Sequence, residues 1–360
     1  MEWSNKFSSF NSWKGLTYHE NYNQIAGWLE NKLPPPIECN LDPIAECNLN
    51  CYFCITQRYL RANRDEVGEM RKLPFDYMMR LVDFIVGWGV KGLCISGGGE
   101  PSLHEDIEKV ITYASGKMDV AFVTNAVHIR ESLVHALQHC RWVALSVDSA
   151  NRETYKTIKG KDKFGVVIGN IRRLTSIRTK ADFCFKFLIV PENQYEIYDA
   201  CKLAKSLGVQ DFHARPVDFE RSDIKGAKKL DLDIKEILNQ FEKCHELESE
   251  DFHVYTVMHK FNPEFHIKYD YDKCLAAPLI IPILTNGIGY LCVEHKMEVK
   301  YSLGQCYPDP KDILNWWGND RHRQMIKDII PQRDCSRCIY SEYHKQIEAI
   351  TQDRMCRNFP

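Results

Sequence analysis

What the sequence lacks narrows its possible roles first. Its most hydrophobic run, "CLAAPLIIPIL" (Cys274 to Leu284), is too short to span a bilayer and holds two prolines. The opening "MEWSNKFSSFNSWKG" has no apolar stretch of the kind an export signal needs. An excess of one charge is also missing. Lys and Arg number 47 and Asp and Glu 49, a net of −2, so there is no global basic footprint for nucleic acid. No internal repeat and no low-complexity run is present. These absences lead us to expect a cytoplasmic globular protein with neither a membrane nor a nucleic acid as partner. The 360 residues, 44% apolar and 27% charged, suffice for one large domain or two moderate ones.

Cysteine is the opposite case. There are 15, an odd number, and without an export signal a disulfide framework is not the natural reading. Clustered cysteines in a reducing compartment point to metal ligation or catalysis. Cys39, Cys94, Cys140, Cys184, Cys201 and Cys244 stand singly among apolar residues and read as small buried hydrophobes.

Residues 1–35 read as an N-terminal extension, polar and studded with aromatics. After them apolar strand-like runs alternate with helical periodicity: "PIECNLDPI", "VKGLCIS", "DVAFVTN", "RWVALSVD", "DFCFKFLIV" and "VQDFHARPV" are separated by amphipathic segments such as "LPFDYMMRLVDFIVGWGV". Six strands with intervening helices predict an α/β fold, a partial (β/α)6 TIM-like barrel of parallel strands over residues 36–220. Ligands in such folds gather at the C-terminal strand ends. Residues 221–270, rich in Lys, Asp and Glu, read as a linker with one helix, "DIKEILNQFEKCHEL". Residues 271–360 carry six cysteines without βα alternation and read as a second, small, metal-dependent module.

"AECNLNCYFC" follows the first strand and places Cys47, Cys51 and Cys54 at Cys-x3-Cys-x2-Cys spacing. Zinc knuckles usually close a tetrahedron with paired Cys-x2-Cys units. Three thiolates on one loop leave a position open on a four-iron cube, as a reactive site requires. "SGGGEP" ends the second strand, with glycines that permit close backbone approach and with Glu100 as an acceptor for a cation.

Together these residues resemble the radical S-adenosylmethionine (SAM) enzymes. Cys47, Cys51, Phe53 and Cys54 match the family's Cys-x3-Cys-x-aromatic-Cys loop. Gly98, Gly99, Glu100 and Pro101 match its Gly-Gly-Glu-Pro motif. The resemblance implies that the open iron of a 4Fe–4S cluster chelates the methionyl group of SAM and that the glycine–glutamate motif holds its amine. It also implies that one electron, from an external donor such as flavodoxin or ferredoxin, releases a 5′-deoxyadenosyl radical that abstracts hydrogen from substrate. By the same resemblance Thr124 and Ser146 contact the SAM carboxylate or ribose and Phe53 lies by the adenine. "VTNA" departs from the family's Thr-Asn-Gly at Ala126. Asp148 reads as a helix cap and Lys186 as a mid-strand cation facing the barrel interior.

In the C-terminal module Cys274 and Cys292 frame a Cys-x12-Gly-x4-Cys pattern with Gly287 in a hairpin turn, and Cys335 and Cys338 form a Cys-x2-Cys pair. On spacing alone the four suit zinc or an iron–sulfur cluster. The resemblance extends to family members with a C-terminal auxiliary-cluster domain of the SPASM or twitch type, and implies an Fe–S-binding α+β domain over 271–360 with a second 4Fe–4S cluster on these four thiolates. His344 and Glu348 stand where the longer, two-cluster version has further cysteines. His344 reads as a surface helix residue. Cys306 and Cys356 are unassigned, and either can replace one of the four.

For substrate the sequence suggests a small polar molecule, a sugar, aminocyclitol or nucleotide-sugar, with dehydrogenase-like net oxidation or rearrangement as the outcome. In "FHARPVDFER" Arg215 is a candidate catalytic group for holding a carboxylate or phosphate, and His213 a candidate general base. The alternative is a peptide or protein maturase that crosslinks, epimerises or oxidises a residue. A zinc-binding module without enzymatic activity is the third reading.

Overall fold

The computed structural model describes residues 18–21, 24, 27, 32–54, 56, 70–177, 179–217, 231–257, 271–335, 338, 340, 343–344 and 347–348. The six expected strands are present: β1 (Glu38–Leu41), β2 (Gly92–Ile95), β3 (Asp119–Thr124), β4 (Trp142–Ser146), β5 (Asp182–Ile189) and β6 (Asp211–Pro216). They pair in parallel in that order. Helices α1 (Phe75–Trp88), α2 (Ile107–Ser115), α3 (Glu131–Leu137), α4 (Arg152–Lys159), α5 (Phe164–Thr175) and α6 (Ile197–Ser206) lie between them. Helix α1 shows how the sequence directs this. Pro74 precedes it in extended backbone, Tyr77, Met78, Leu81, Val82 and Ile85 bury one face, and Gly89 at φ 108° ends it with N–H bonds to the Ile85 and Val86 carbonyls.

Strand side chains alternate between two faces. Leu93, Ile95, Phe122, Val143, Leu145, Phe183, Phe185, Phe187 and Phe212 join the helices in one core, each contributing about 1.5–3 kcal/mol by burial. The intervening residues, among them Cys94, Ser146, Lys186, His213 and Arg215, therefore face the concave side. The six single cysteines are all buried, as expected.

The strands that extend the sheet at both edges were not foreseen. Within 221–270 the expected helix is present as α7 (Ile234–His245), and it is followed by β7 (His253–Thr256), which pairs in parallel with β6. The expected linker thus adds a helix and a seventh parallel strand to the sheet. Residues 218–230 and 258–270 lie outside the described residues. In the C-terminal module β8 (Ile280–Ile283) pairs in parallel with β1, and β9 (Ile288–Tyr290) and β10 (Ser302–Gln305) follow antiparallel. The module continues the barrel's own sheet and covers the β1 edge, which would otherwise offer unpaired backbone groups. The expected hairpin turn is present, with Gly287 at φ 72°. Short helices α8 (Ile313–Trp316), α9 (Asp320–Asp328) and α10 (Pro331–Asp334) complete it. At the end of the N-terminal extension, Pro34 accepts a hydrogen bond from the Trp317 indole at 2.9 Å. Among the described residues no helix is long and apolar enough to cross a membrane.

Candidate active site

The three-cysteine loop leaves β1 and lies across the strand ends. Backbone fit fixes it on two sides. The Glu100 N–H donates to the Glu46 carbonyl at 2.7 Å. A Cβ on Gly99 would lie 2.2 Å from that same Glu46 oxygen. The close approach foreseen at the glycine motif is thus, at Gly99, to the chain's own cysteine loop. On the other side Asn50 donates to the Lys159 carbonyl at 2.9 Å, and Gly160, at φ 67°, leaves only 2.9 Å between an added Cβ and the Asn50 oxygen. Phe53 packs with Ile158, Leu188, Val190 and Val217 at the strand mouths, which anchors the loop's third corner.

Glu100 is 3% exposed. Its carboxylate accepts from the Thr124 hydroxyl at 2.6 Å, from Asn125 N–H at 2.7 Å and from Ser102 N–H at 3.1 Å. Burial pushes its pKa up, and these bonds oppose the shift. Glu100 and Thr124, expected as separate SAM contacts, are instead bonded to each other, and the pair fixes the turn after β3. From that turn the Asn125 side-chain amide reaches Asn48 at 2.7 Å and the Cys47 sulfur at 3.8 Å. Ala126, in place of the family's glycine, takes φ 59°.

The three thiols interact electrostatically. Burial raises the Cys47 pKa and pushes Cys51 up to about 11, while Lys159 favours the thiolate of each. Lys159 is 2% exposed and paired with Asp148, itself 1% exposed, so a buried cation sits beside the loop. Its pKa is raised: burial works against the charge, but Asp148 and Cys51 outweigh it. Asp148, read from the sequence as a helix cap, also accepts from Leu188 N–H at 2.7 Å. The helix cap is the neighbouring Asn151. The fully buried Tyr155 hydroxyl has no hydrogen-bond partner and feels Lys159, Cys51, Asp148 and Glu100.

On the concave face β4 to β7 place Ser146, Lys186, His213 and Tyr255 in one row of the register, with Arg215 one pleat further toward the mouth. Lys186 has a lowered pKa, from burial first and then from Arg215. Expected contacts Ser146, His213 and Arg215 thus share one surface.

Cys274, Cys292, Cys335 and Cys338 line a single enclosed cavity together with Tyr271, His295 and His344. Burial pushes Cys274 and Cys338 up to about 12 and also raises Cys292 and Cys335, with the other thiols of the set adding to each shift. Among the described residues no three His, Cys, Asp or Glu converge closely enough to hold a single ion. Donors spread round a void suit a cluster whose irons each take one thiolate better than one tetrahedral zinc ion. Cys306 is elsewhere: its sulfur donates to the Gly287 carbonyl at 3.0 Å and receives the Tyr77 hydroxyl at 3.3 Å. Cys356 lies outside the described residues. His344 corrects the surface reading, for it is 1% exposed and stacks on Tyr271. Its Nδ1 accepts from Leu275 N–H at 2.8 Å while the ring also bonds Lys273, so it clamps the backbone on both sides of Cys274.

Comparison with known proteins bears on this geometry. The Radical SAM superfamily profile matches residues 42–213, the stretch from the cysteine loop to β6. The chain carries a radical SAM domain. Members of this family use a 4Fe–4S cluster and SAM. A probable GTP 3',8-cyclase of Saccharolobus islandicus is 26% identical over 170 residues, 46% of this chain and 52% of that protein. The match thus spans about half the length of such relatives. Mycofactocin maturase MftC of Mycolicibacterium smegmatis is 27% identical over 150 residues, 41% of this chain and 36% of that protein. The fold resembles Streptococcus suis SuiB bound to its precursor peptide SuiA, with TM-score 0.67 and 17% identity over 89% of this chain and 74% of SuiB. It also resembles anSMEcpe with bound AdoMet, with TM-score 0.61 and 16% identity over 87% of this chain and 96% of the other.

The residues of this radical SAM domain suit the groups the family carries. The cysteine loop offers three soft donors beside a buried cation, and the unpartnered Tyr155 hydroxyl interacts electrostatically with Cys51 and Lys159. Lys159, Tyr155 and His295 were missed by sequence reasoning, and His344 was read as a surface residue. Each matters through a partner brought close by folding, and no spacing rule marks it.

Proposed function

We propose that this radical SAM enzyme modifies a peptide or protein substrate, with one cluster on Cys47, Cys51 and Cys54 and a second on Cys274, Cys292, Cys335 and Cys338. The observation that carries the peptide reading is the extent of the fold likeness. It runs beyond the barrel into the cysteine module, over 89% of the chain, in a protein described with its precursor peptide bound. The maturase relative supports the same direction. The expectation of a sugar-type substrate gains no such support. A small nucleotide-like substrate is the second reading, favoured by the cyclase relatives and by the polar row on the concave face.

When bound, the cluster and SAM supply the radical that takes hydrogen from substrate. The chain's own residues then have these roles. Lys159 offsets the charge of the thiolates. Glu100 and Thr124 hold the turn after β3, and Gly98 and Gly99 let the motif pack beneath the loop. Ser146 and Phe53 flank the SAM site. Arg215 holds an anionic group of the substrate and His213 accepts a proton. Cys274, Cys292, Cys335 and Cys338 would hold the second cluster, which would supply an acceptor for the electron left on substrate and so net oxidation; the first cluster would need an external one-electron donor.

The test is anaerobic reconstitution, reduction with dithionite, and assay of 5′-deoxyadenosine with short peptides encoded beside the gene and, separately, with GTP. The expected result is a SAM-dependent mass change in one peptide that Cys47→Ala abolishes. Turnover of GTP alone would favour the second reading. SAM left uncleaved by a fully iron-loaded protein would count against both.

A further inference from the structure

His295 follows Cys292 by one short turn, and its backbone N–H donates to the Cys292 carbonyl at 3.1 Å. The ring is 3% exposed and lines the cavity of the four thiols. Its Nε2 lies 3.7 Å from the Cys335 sulfur. Its Nδ1 lies 2.9 Å from the Glu298 carboxylate, and the Tyr301 ring covers it at 4.0 Å between centroids. The imidazole is therefore held on three sides and aimed at one sulfur. His344, the other histidine of the cavity, spends its ring on backbone next to Cys274.

A metal-bound cysteine sulfur has lost its proton and only accepts, so a nitrogen in contact with it must be the donor. We propose that His295, with Nδ1–H on the Glu298 carboxylate and both ring nitrogens protonated, donates a hydrogen bond from Nε2 to the Cys335 thiolate and sets the reduction potential of the second cluster. The inference rests on the reading that the four cysteines hold that cluster. Donors to cluster sulfur stabilise the more negative, reduced state. His295 is thus a positioning and tuning residue, and removing its donor must make the cluster harder to reduce.

The experiment uses the full chain with Cys47, Cys51 and Cys54 changed to Ala, so that only the second cluster reports. Iron and sulfide are counted and the potential is read by electron paramagnetic resonance during a dithionite titration. We expect His295→Phe to shift the midpoint to more negative potential and alter the spectrum, His295→Gln to restore part of the shift through its amide N–H, and Glu298→Gln to move it less in the same direction. If the parent triple variant holds no iron or sulfide, the two-cluster reading falls and this inference with it. If its cluster is intact and His295→Phe leaves potential and spectrum unchanged, only the inference falls. Should His295→Phe lose the cluster, Glu298→Gln decides, and an unmoved potential there overturns the proposal.

Discussion

At the scale of single residues the first site depends on groups that leave no slack. Lys159 and Asp148 are an ion pair at 2% and 1% exposure. Removing one member strands the other charge in a dry site, at about 3–5 kcal/mol. Lys159→Met is therefore expected to lower stability by that order in urea unfolding, and Lys159→Met with Asp148→Asn to recover most of it. An equal loss in both variants would show that the pairing is not the source. Gly99 leaves no space of another kind. An alanine Cβ would meet the backbone oxygen of Glu46 at 2.2 Å, and backbone cannot turn aside as a side chain can. Overpacking of this sort costs about 1–3 kcal/mol, here charged to the docking of the cysteine loop. Gly99→Ala should halve the iron content by losing the first site while the second keeps its iron. The cysteines and glycines were legible in the sequence because ligation and close approach demand a residue type at a fixed spacing. Lys159, Tyr155 and His344 were not, since nothing in "NRETYKTIKG" says that its lysine will be buried beside Cys51.

At the scale of elements, legibility followed hydrophobic continuity. β2 to β6 are apolar runs bounded by turn residues, and their order in the sheet is their order in the chain. β7 was lost because "FHVYTV" is short and follows a charged stretch. β8 was hidden by Pro282, which sits opposite Asn40 in the β1 ladder. Helix α9 carries a consequence for acid stability. His322, 1% exposed, accepts Gly318 N–H on Nδ1 at 2.9 Å and packs edge-on against Trp317. Burial, then Arg323, lowers its pKa from 6.5 to about 4. Between those values the unfolded chain holds a proton that the folded chain does not. Stability is thus full above the unfolded value, and it falls by about 1.4 kcal/mol per pH unit on acidification through the window. His322→Gln should flatten that limb, as read from thermal unfolding at successive pH values. An unchanged acid limb would place the titration elsewhere.

At the scale of the molecule the question is how a module whose first cysteine lies 227 residues after Cys47 is held against the barrel that carries the first site. The β1–β8 ladder supplies backbone pairing, a shared apolar core and contacts such as Tyr77 with Cys306 add to it, and one side chain adds an ionic link. Lys296, four residues after Cys292, reaches across to β1, where its ammonium contacts the Asn40 side chain at 2.6 Å and the Asp42 carboxylate at 2.7 Å. Ser96, at the start of the glycine motif, donates to Asn40 in the same cluster at 3.1 Å. A Cβ on Gly98 would lie 3.6 Å from Asp42. The contact therefore joins the turn after Cys292 to the loop that supports the first cysteines. Asp42 is buried and Lys296 only partly so, at 3% and 20% side-chain exposure, so the pair is worth less than a fully dry one. The loss on Lys296→Met comes mainly from leaving the Asp42 carboxylate unpaired, about 1–3 kcal/mol. Adding Asp42→Asn should restore stability, because the amide no longer needs a cation. It should not restore the docking of the turn. If this contact couples the modules, Lys296→Met will bring a separate, lower transition for the C-terminal segment in calorimetry, and the double variant will keep that split while regaining the barrel's own midpoint. A single cooperative transition in both variants would show that the β1–β8 ladder and the shared apolar core couple the modules without it.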